Sequence, residues 1–402
     1  GNGNTEDQAI PIKVLSDVKS VSLYNGCWWG SVAAITNAGD LYCWGYNAYG
    51  QVGNGSTENQ TVPIKVLDNV LSVSIYDSVS IVPSGGSAST ATVAAVTNTG
   101  DLYCWGYNAY GQVGNGSTED QTTPVKVLSD IASVFVPDYN DGQVSVAAIA
   151  KNKDLYCWGC NTYGQVGNGS TENQTIPVKI LSNVTSFTSE DSFLGRRSVA
   201  ALTDNRDLYC WGYNESGQAG NGNTENQLIP EKVLSDVTSV SISEHNSGMS
   251  VAALTDNGDL YCWGDNEWGQ IGNGNTENCS TPIKVLENVV SVSCYDTAFI
   301  STAAITDNGD LYCWGSNSYG QVGNGSMEDQ TTPIIILNLM SGIQPTEAPS
   351  GTPGATPIVQ PTSIPSGTPA VTPIIQPTST PSGIPTATPT VQPTDVPSNI
   401  PD

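Results

Sequence analysis

The chain has 402 residues, of which 38 are acidic and 12 basic, and its formal net charge at pH 7 is −26. A surface of this sign repels phosphate backbones and anionic lipid, whereas proteins that bind nucleic acid are typically basic. We therefore expect no nucleic-acid binding and no direct insertion of this chain into a membrane.

The N-terminal residues belong to a unit that recurs along most of the chain, and residues 53–113 show it in full. A turn-rich loop with the motif G-N-G opens the unit. Four short runs rich in Val, Ile, Tyr and Trp follow, at residues 63–67, 72–75, 93–97 and 102–105. Such runs, separated by Asn, Gly, Asp and Pro, are typical of β-strands, and no helical periodicity is present. We therefore predict four antiparallel strands per unit.

The most regular element of the unit is the hexapeptide D-L-Y-C-W-G. It begins at Asp40, Asp101, Asp154, Asp207, Asp259 and Asp310. A repeat of about fifty residues with several strands per unit is typical of a β-propeller. The predicted fold is therefore all-β, a propeller in which each four-stranded antiparallel sheet is one blade.

Two of the repeated elements are more numerous than the others. The G-N-G loop and the strand with the Pro-x-Lys pattern each occur seven times, whereas the V-A-A strand (T-A-A in the last copy) and the D-L-Y-C-W-G strand each occur six times. The chain thus begins on the second half of a unit. We predict a seven-bladed propeller over residues 1–341, with six blades complete and one partial here.

The composition changes at residue 342. Proline recurs at every fourth position from Pro345 to Pro401, with many Thr and Ser residues between. Such a segment cannot bury a core and adopts extended polyproline II structure, and its hydroxyl residues suit O-glycosylation. We predict a linker over residues 342–402 that resembles the stalks of secreted bacterial surface proteins, and hence an extracellular or cell-surface location.

Six of the ten cysteines stand in the repeated hexapeptide. Each would lie in its own blade, too far from its equivalents for a disulfide, which needs Cα atoms within about 7 Å. We predict that they are buried free thiols, while the pairing of Cys27, Cys160, Cys279 and Cys294 stays open. The G-N-G loops offer oxygen ligands that suit calcium, but repeated turn-forming strings are more often structural. We predict no metal and no cofactor.

Residues 39–55, G-D-L-Y-C-W-G-Y-N-A-Y-G-Q-V-G-N-G, resemble the repeat of the regulator of chromosome condensation family. Its superfamily also contains a bacterial β-lactamase-inhibitor propeller. The resemblance covers residues 1–341, and for the eukaryotic member it implies seven blades, nucleotide exchange on a small nuclear GTPase and chromatin binding. Repeats of that member usually carry Gly-x-x-His before the third strand, whereas this chain has one histidine, His245. We therefore rank nucleotide exchange last.

The copies differ most in the segments between the second and third runs of the unit. These segments vary in length, and we expect them to gather on one face because the connection has the same place in every unit. Aromatic residues and arginine are enriched in binding hot spots, and functional residues favour loops on rigid scaffolds. The predicted binding residues are Tyr24, Trp28, Trp29, Tyr76, Phe135, Tyr139, Phe193, Arg196, Arg197, His245, Tyr295 and Phe299.

Catalysis has no support in the sequence. Carboxylates that could serve a glycosidase are scattered one or two per blade, and no G-x-S-x-G, H-E-x-x-H or phosphate-binding motif is present. We predict a monomeric, non-enzymatic, extracellular module that binds a protein partner through one propeller face. The alternatives are a glycan-binding or glycan-active propeller of a secreted bacterial degradative system and, last, guanine-nucleotide exchange.

Overall fold

The computed structural model describes residues 1–23, 30–81, 87–136, 143–192, 196–245, 248–295 and 301–337. The regular structure within these ranges is entirely β-strand, in six four-stranded sheets. The predicted linker, residues 342–402, lies outside the described residues, so its character and the boundary after residue 341 stay predictions.

The first three blades follow one another along the chain, and their strands pair in antiparallel order from first to fourth. Their strands are β1 (Val18–Leu23), β2 (Ser31–Thr36), β3 (Leu41–Gly45) and β4 (Gln60–Leu67), then β5 (Val70–Ile81), β6 (Ser87–Thr97), β7 (Leu102–Gly106) and β8 (Gln121–Leu128), then β9 (Ile131–Phe135), β10 (Ser145–Ala150), β11 (Leu155–Gly159) and β12 (Gln174–Leu181).

The last three blades have the same arrangement. Their strands are β13 (Val184–Ser192), β14 (Arg196–Thr203), β15 (Leu208–Gly212) and β16 (Gln227–Leu234), then β17 (Val237–His245), β18 (Gly248–Thr255), β19 (Leu260–Gly264) and β20 (Cys279–Leu286), then β21 (Val289–Tyr295), β22 (Ser301–Thr306), β23 (Leu311–Gly315) and β24 (Gln330–Leu337). The all-β prediction with four-stranded antiparallel blades is confirmed.

Each blade begins one strand later than the sequence unit. The Pro-x-Lys strand β4 pairs with β3, the hexapeptide strand before it, across the G-N-G loop. The chain then passes to β5 of the next blade through a two-residue link in which Asn69 has φ 59°. Asp or Asn occupies this left-handed position in every link, as expected for the residues that tolerate it best after glycine. The links are made at Asp17, Asn69, Asp130, Asn183, Asp236 and Asn288.

The N-terminal G-N-G loop lies against blade 1 as the later loops lie against the blades that follow them. The Gly3 amide donates to the Thr61 carbonyl at 2.9 Å, and the Gly55 amide donates to the equivalent Thr122 carbonyl at 2.8 Å. Residues 10–15, the first Pro-x-Lys copy, are described but form no strand. Six complete blades are therefore present, as predicted, and the first half-unit lies beside blade 1 without forming a strand of a seventh.

The hydrophobic core lies between consecutive blades. Ala33, Leu41 and Cys43 of blade 1 pack with Val93 and Trp105 of blade 2, and the same arrangement recurs along the array. Large buried aromatics contribute strongly to such cores. The predicted role of the repeated tryptophans in packing between blades is confirmed.

A hydrogen bond accompanies this packing at every junction between complete blades. Each indole Nε1 donates to the backbone carbonyl of the glutamine in the preceding W-G-x-N-x-x-G-Q loop. The bonds are Trp105 to Gln51 at 3.0 Å, Trp158 to Gln112 at 2.9 Å, Trp211 to Gln165 at 3.0 Å, Trp263 to Gln218 at 2.9 Å and Trp314 to Gln270 at 2.9 Å. The repeated tryptophan therefore satisfies a buried carbonyl as well as filling the core.

Candidate binding face

The connections between the first and second strands of the blades lie at one end of the propeller. The long loops between the third and fourth strands share this end, because Ser31 pairs with Gly45 and the Tyr46 amide donates to the Gly30 carbonyl at 3.0 Å. Each long loop also contacts the same end of the next blade through the tryptophan bond. All these connections therefore share one face, which we call the hairpin face.

A buried asparagine organises each long loop on the hairpin face. In blade 1, Asn47 is fully buried, and its Nδ2 donates to the carbonyls of Ser56 and Glu58, both at 2.9 Å. The Oδ1 of Asn47 accepts from the backbone amide of Val52 at 2.8 Å, and the backbone amide of Asn47 donates to Asn59 Oδ1 at 2.9 Å. These bonds explain why the loop sequence is repeated so closely.

Variation in length is confined to the first two strands of the blades. The third strands all have 5 residues and the fourth strands all have 8. The first strands range from 5 residues in β9 to 12 in β5. In blade 2 the hairpin continues beyond the rung Thr92↔Gly106 to the pair Ile81↔Ser87. The blades therefore differ where they reach the hairpin face.

The junction between blades 3 and 4 carries two of the four phenylalanines of the chain. Phe135, which is 37% exposed, meets Phe187 edge-on with ring centroids 5.5 Å apart, and Phe187 in turn packs on Trp211. Beside them is a cleft of about 250 Å³ between β9 and β13, with Ala147 and Ile149 in its lining. Phe135, a predicted binding residue, is thus accessible at an apolar cleft.

Arg196, also a predicted binding residue, stacks on an aromatic ring at the same junction. Its guanidinium carbon lies 5.3 Å from the ring centroid of Tyr213. The Tyr213 hydroxyl donates to Glu215 Oε2 at 2.8 Å, and the Tyr213 ring meets Tyr163 of blade 3 edge-on at 5.4 Å. Burial, with the bond to Glu215, raises the pKa of Tyr213 above its usual value. The phenol therefore stays protonated and keeps this bond.

Arg197 has a different environment from its neighbour. It is only 1% exposed, and its Nη1 donates to the Ser145 carbonyl of blade 3 at 3.2 Å. Since successive residues of a strand point to opposite faces, one arginine of the pair is turned inward. Arg197 therefore joins blades 3 and 4, and its side chain is not available on the surface as the sequence suggested.

The other predicted binding residues are placed only in part. Tyr76 lies within β5, His245 ends β17 and Tyr295 ends β21, and their side chains are outside the described residues. The remaining predicted binding residues lie outside the described residues altogether. These are Tyr24, Trp28, Trp29, Tyr139, Phe193 and Phe299.

Sequence reasoning missed a second set of variable residues on the hairpin face. They follow the Trp-Gly pair of each repeat, where the copies have Tyr, Cys, Asp or Ser. The members are Tyr46, Tyr107, Cys160, Tyr213, Asp265 and Ser316. The Tyr107 ring meets Tyr49 of blade 1 edge-on at 5.2 Å. Their variation within a closely copied loop was the available signal.

The described residues contain no cluster of side chains suited to bind a metal ion. No group of three or more His, Cys, Asp or Glu side chains there is arranged to hold an ion. In the first complete G-N-G loop, Asn54 Oδ1 accepts from the Ser56 amide at 3.2 Å and Asn59 Oδ1 from the Asn47 amide at 2.9 Å. Oxygens that suggested calcium are thus used within the loop.

The cysteines of the described part are all free thiols. Five of the six repeated ones are buried, and Cys313 is half-buried. The predicted free thiols are found at all six positions, and the predicted burial at five. The described part of the chain also contains no helix with the length and apolar character needed to cross a bilayer.

Comparison with known proteins identifies the class. Residues 87–347 match the RCC1-like domain family, and residues 38–86 match the regulator of chromosome condensation (RCC1) repeat. The chain belongs to the RCC1-like domain family. It is 30% identical over 346 residues to the ultraviolet-B receptor UVR8 of Arabidopsis thaliana, covering 84% of this chain and 74% of the receptor.

A relative among the ubiquitin ligases matches over a small part of its own length, and two solved structures match over most of theirs. The chain is 30% identical over 312 residues to the human E3 ubiquitin-protein ligase HERC2, which corresponds to 75% of this chain and 6% of the ligase. Among solved structures, Prp20p from Saccharomyces cerevisiae is 21% identical with a TM-score of 0.47, covering 77% of this chain and 76% of that one. Human WBSCR16 is 20% identical with a TM-score of 0.48, covering 80% and 82%.

Proposed function

We propose that this propeller is a non-enzymatic recognition module that binds a protein partner through its hairpin face. One observation carries the proposal: strand lengths vary only in the first two strands, while the third and fourth strands are constant. A scaffold that holds variable segments on one face is the usual arrangement of a binding surface. Similarity to a receptor over most of its length supports a module that acts by binding.

The chemistry of the described hairpin face agrees with this proposal. Phe135 is accessible beside an apolar cleft, and Arg196 lies on the Tyr213 ring. Tyrosine and arginine are among the residues that dominate binding energy at protein interfaces. The predicted anchors Trp28 and Trp29 stand in the sequence between β1 and β2 and lie outside the described residues.

We also propose that the module works outside the cell as a monomer. The support is compositional: a net charge of −26 and a segment after residue 341 that is rich in Pro, Thr and Ser. Such segments act as extended spacers between modules. Antibody labelling of intact cells and of the culture medium tests the location. Signal confined to lysed cells would contradict it.

The binding proposal is tested by comparing the two faces. The protein is immobilised, partners from native extracts are identified by mass spectrometry, and the affinity of a purified partner is measured by calorimetry. A hairpin-face variant, Trp28→Ala/Trp29→Ala/Phe135→Ser, is compared with an opposite-face variant, Lys151→Gln/Asp307→Asn, whose residues are exposed in the β2–β3-type turns. We expect the first to weaken binding by at least about tenfold and the second to leave it unchanged. Equal affinities of all three folded proteins would refute the proposal.

A further inference from the structure

We propose that Arg196 is a carboxylate-binding site, and that the partner presents a glutamate or aspartate side chain to it. This inference rests on the proposed function, since it names the chemistry by which the hairpin face recognises its partner. The chain has three arginines, and their surroundings differ.

Two of the arginines are engaged within the protein. Arg206 forms an ion pair with Asp256 of the next blade, with Nη1 and Oδ2 at 2.6 Å. Arg197 is buried and donates to the Ser145 carbonyl. Arg196 has only the Tyr213 ring as its partner among the described residues, and its Nε is buried without a hydrogen bond. Its charge therefore has no carboxylate partner within the described part of the chain.

The stacked geometry prepares Arg196 for an anionic ligand. The Nε of Arg196 is buried, but its two Nη groups are not among the buried atoms without partners, and a pair of Nη groups matches a carboxylate with two parallel hydrogen bonds. The ring restrains the side chain, so less conformational entropy is lost on binding. Glu215, the carboxylate closest in sequence to the ring, accepts from the Tyr213 hydroxyl at 2.8 Å and is thereby held on that atom.

The acidic character of the whole chain does not oppose this contact. Repulsion between exposed charges is largely screened beyond about 8 Å at physiological ionic strength. A carboxylate that reaches Arg196 is therefore governed by the local guanidinium more than by the net charge of −26. A partner that carries a carboxylate at the contact with Arg196 and few other acidic groups would pair with the guanidinium and avoid repulsion by the acidic surface.

The small number of arginines makes a direct test possible. Protein labelled with ¹⁵N in arginine alone gives a spectrum with three side-chain Nε–H signals. The probe is the peptide acetyl-Gly-Glu-Gly-amide, and the control peptide has Gln in place of Glu. We expect the Arg196 signal to shift saturably with the glutamate peptide and to stay in place with the glutamine peptide. The signals of Arg197 and Arg206 should not move.

Substitutions identify the Arg196 signal in the spectrum and test whether the aromatic ring at position 213 is sufficient for the response. Arg196→Gln removes the responding signal, and Arg206→Gln, at the opposite end of the blade, leaves the response intact. Tyr213→Phe/Glu215→Gln keeps the ring, removes the carboxylate that the Tyr213 hydroxyl holds, and should retain the shift. No movement of the Arg196 signal, or equal movement with both peptides, would overturn the assignment.

The same variants separate this inference from the proposed function. If Arg196→Gln leaves the purified partner's affinity unchanged while the Trp28→Ala/Trp29→Ala/Phe135→Ser variant loses it, the carboxylate site is wrong and the binding face stands. If the glutamate peptide shifts Arg196 but neither variant affects any partner, the site stands as a carboxylate site and the proposed function fails.

Discussion

Ile335 stands opposite Tyr312, two residues along the chain from Asp310, at the position where the other five complete blades have a lysine paired with the aspartate equivalent to Asp310. Asp310 is only 4% exposed, and its Oδ1 has no hydrogen-bond partner among the described residues. The five pairs are Lys65–Asp40 at 2.9 Å, Lys126–Asp101 at 2.8 Å, Lys179–Asp154 at 2.7 Å, Lys232–Asp207 at 2.6 Å and Lys284–Asp259 at 2.8 Å. The sixth blade thus has the aspartate of this ion pair but lacks the lysine.

Replacing this isoleucine by lysine should therefore stabilise the protein. Ile335 is 41% exposed, so Ile335→Lys loses little apolar burial and brings an ammonium group to the unpaired carboxylate oxygen. We expect a gain of up to about 1 kcal/mol in unfolding free energy, measured by urea denaturation. Ile335→Met, which has similar length and no charge, is the control. A gain of the same size in the methionine variant would show that charge is not the cause.

Asp120 offers a pH-dependent test in blade 2. Burial raises the pKa of this carboxyl group, although the Asn108 amide that donates to it at 2.9 Å acts in the opposite direction. An acid with a raised pKa in the folded state costs stability when ionised, and the cost disappears as pH falls below its unfolded pKa of about 3.9. Four other copies have Asn at this position, namely Asn59, Asn173, Asn226 and Asn278.

Asp120→Asn keeps the acceptor oxygen and removes the charge. We expect a small gain in unfolding free energy at pH 7, of less than about 1 kcal/mol, because the site is partly exposed. The gain should vanish near pH 3, where aspartate is itself neutral. Urea midpoints measured at both pH values check this, and a gain that is independent of pH would contradict it.

The tryptophan bond between blades can be isolated by comparing two copies. Trp105→Phe leaves the Gln51 carbonyl without its 3.0 Å donor, whereas Trp44 packs on Gly1 and makes no such bond within the described residues. A buried polar group left unpaired costs about 1–3 kcal/mol. We expect Trp105→Phe to destabilise the protein by about that much more than Trp44→Phe, measured by thermal and urea unfolding. Equal losses would mean that only ring volume matters.

The five buried thiols of the repeated hexapeptide should be unreactive in the folded protein. Burial raises the pKa of Cys43 to about 12 and raises those of Cys104, Cys157 and Cys210 further. The thiolate is the reactive form. With N-ethylmaleimide at pH 7, mass spectrometry should find Cys279, which is partly exposed, modified before the five buried repeated cysteines. Those five should react only in urea, and modification of Cys104 at the rate of Cys279 would contradict their burial.

Much of the fold could be read from the sequence, because the repeat fixes strand number, pairing order and the place of the tryptophans. The sequence does not show at which strand each blade begins and ends. In the sequence, a unit runs from one G-N-G loop to the next, which places β4 with the strands that follow it. In the structure β4 pairs with β3, the strand before it, and the chain passes to blade 2 at the turn of Asn69. Pairing between strands so separated depends on the loop bonds of Asn47, which composition does not show.

The candidate site was predictable as a region and less so as individual side chains. Divergence between copies located the first hairpins, and Phe135 is accessible there. Sequence gave no means to distinguish Arg196 from Arg197, because which of two adjacent residues turns inward depends on strand register. Tyr213 was overlooked because it stands in the copied loop, and only its contact with Arg196 shows its importance.

One set of contacts recurs at every junction between complete blades and comes from the constant half of the blade: the tryptophan, the glutamine carbonyl and the loop built on Asn47. The lengths of the first two strands can therefore differ between blades while this set of contacts is kept. In arrays of this kind each repeat depends mainly on its immediate neighbours. Unequal recombination between such similar copies would add or remove a blade together with its own junction, so the chain can acquire a new recognition surface in one genetic step.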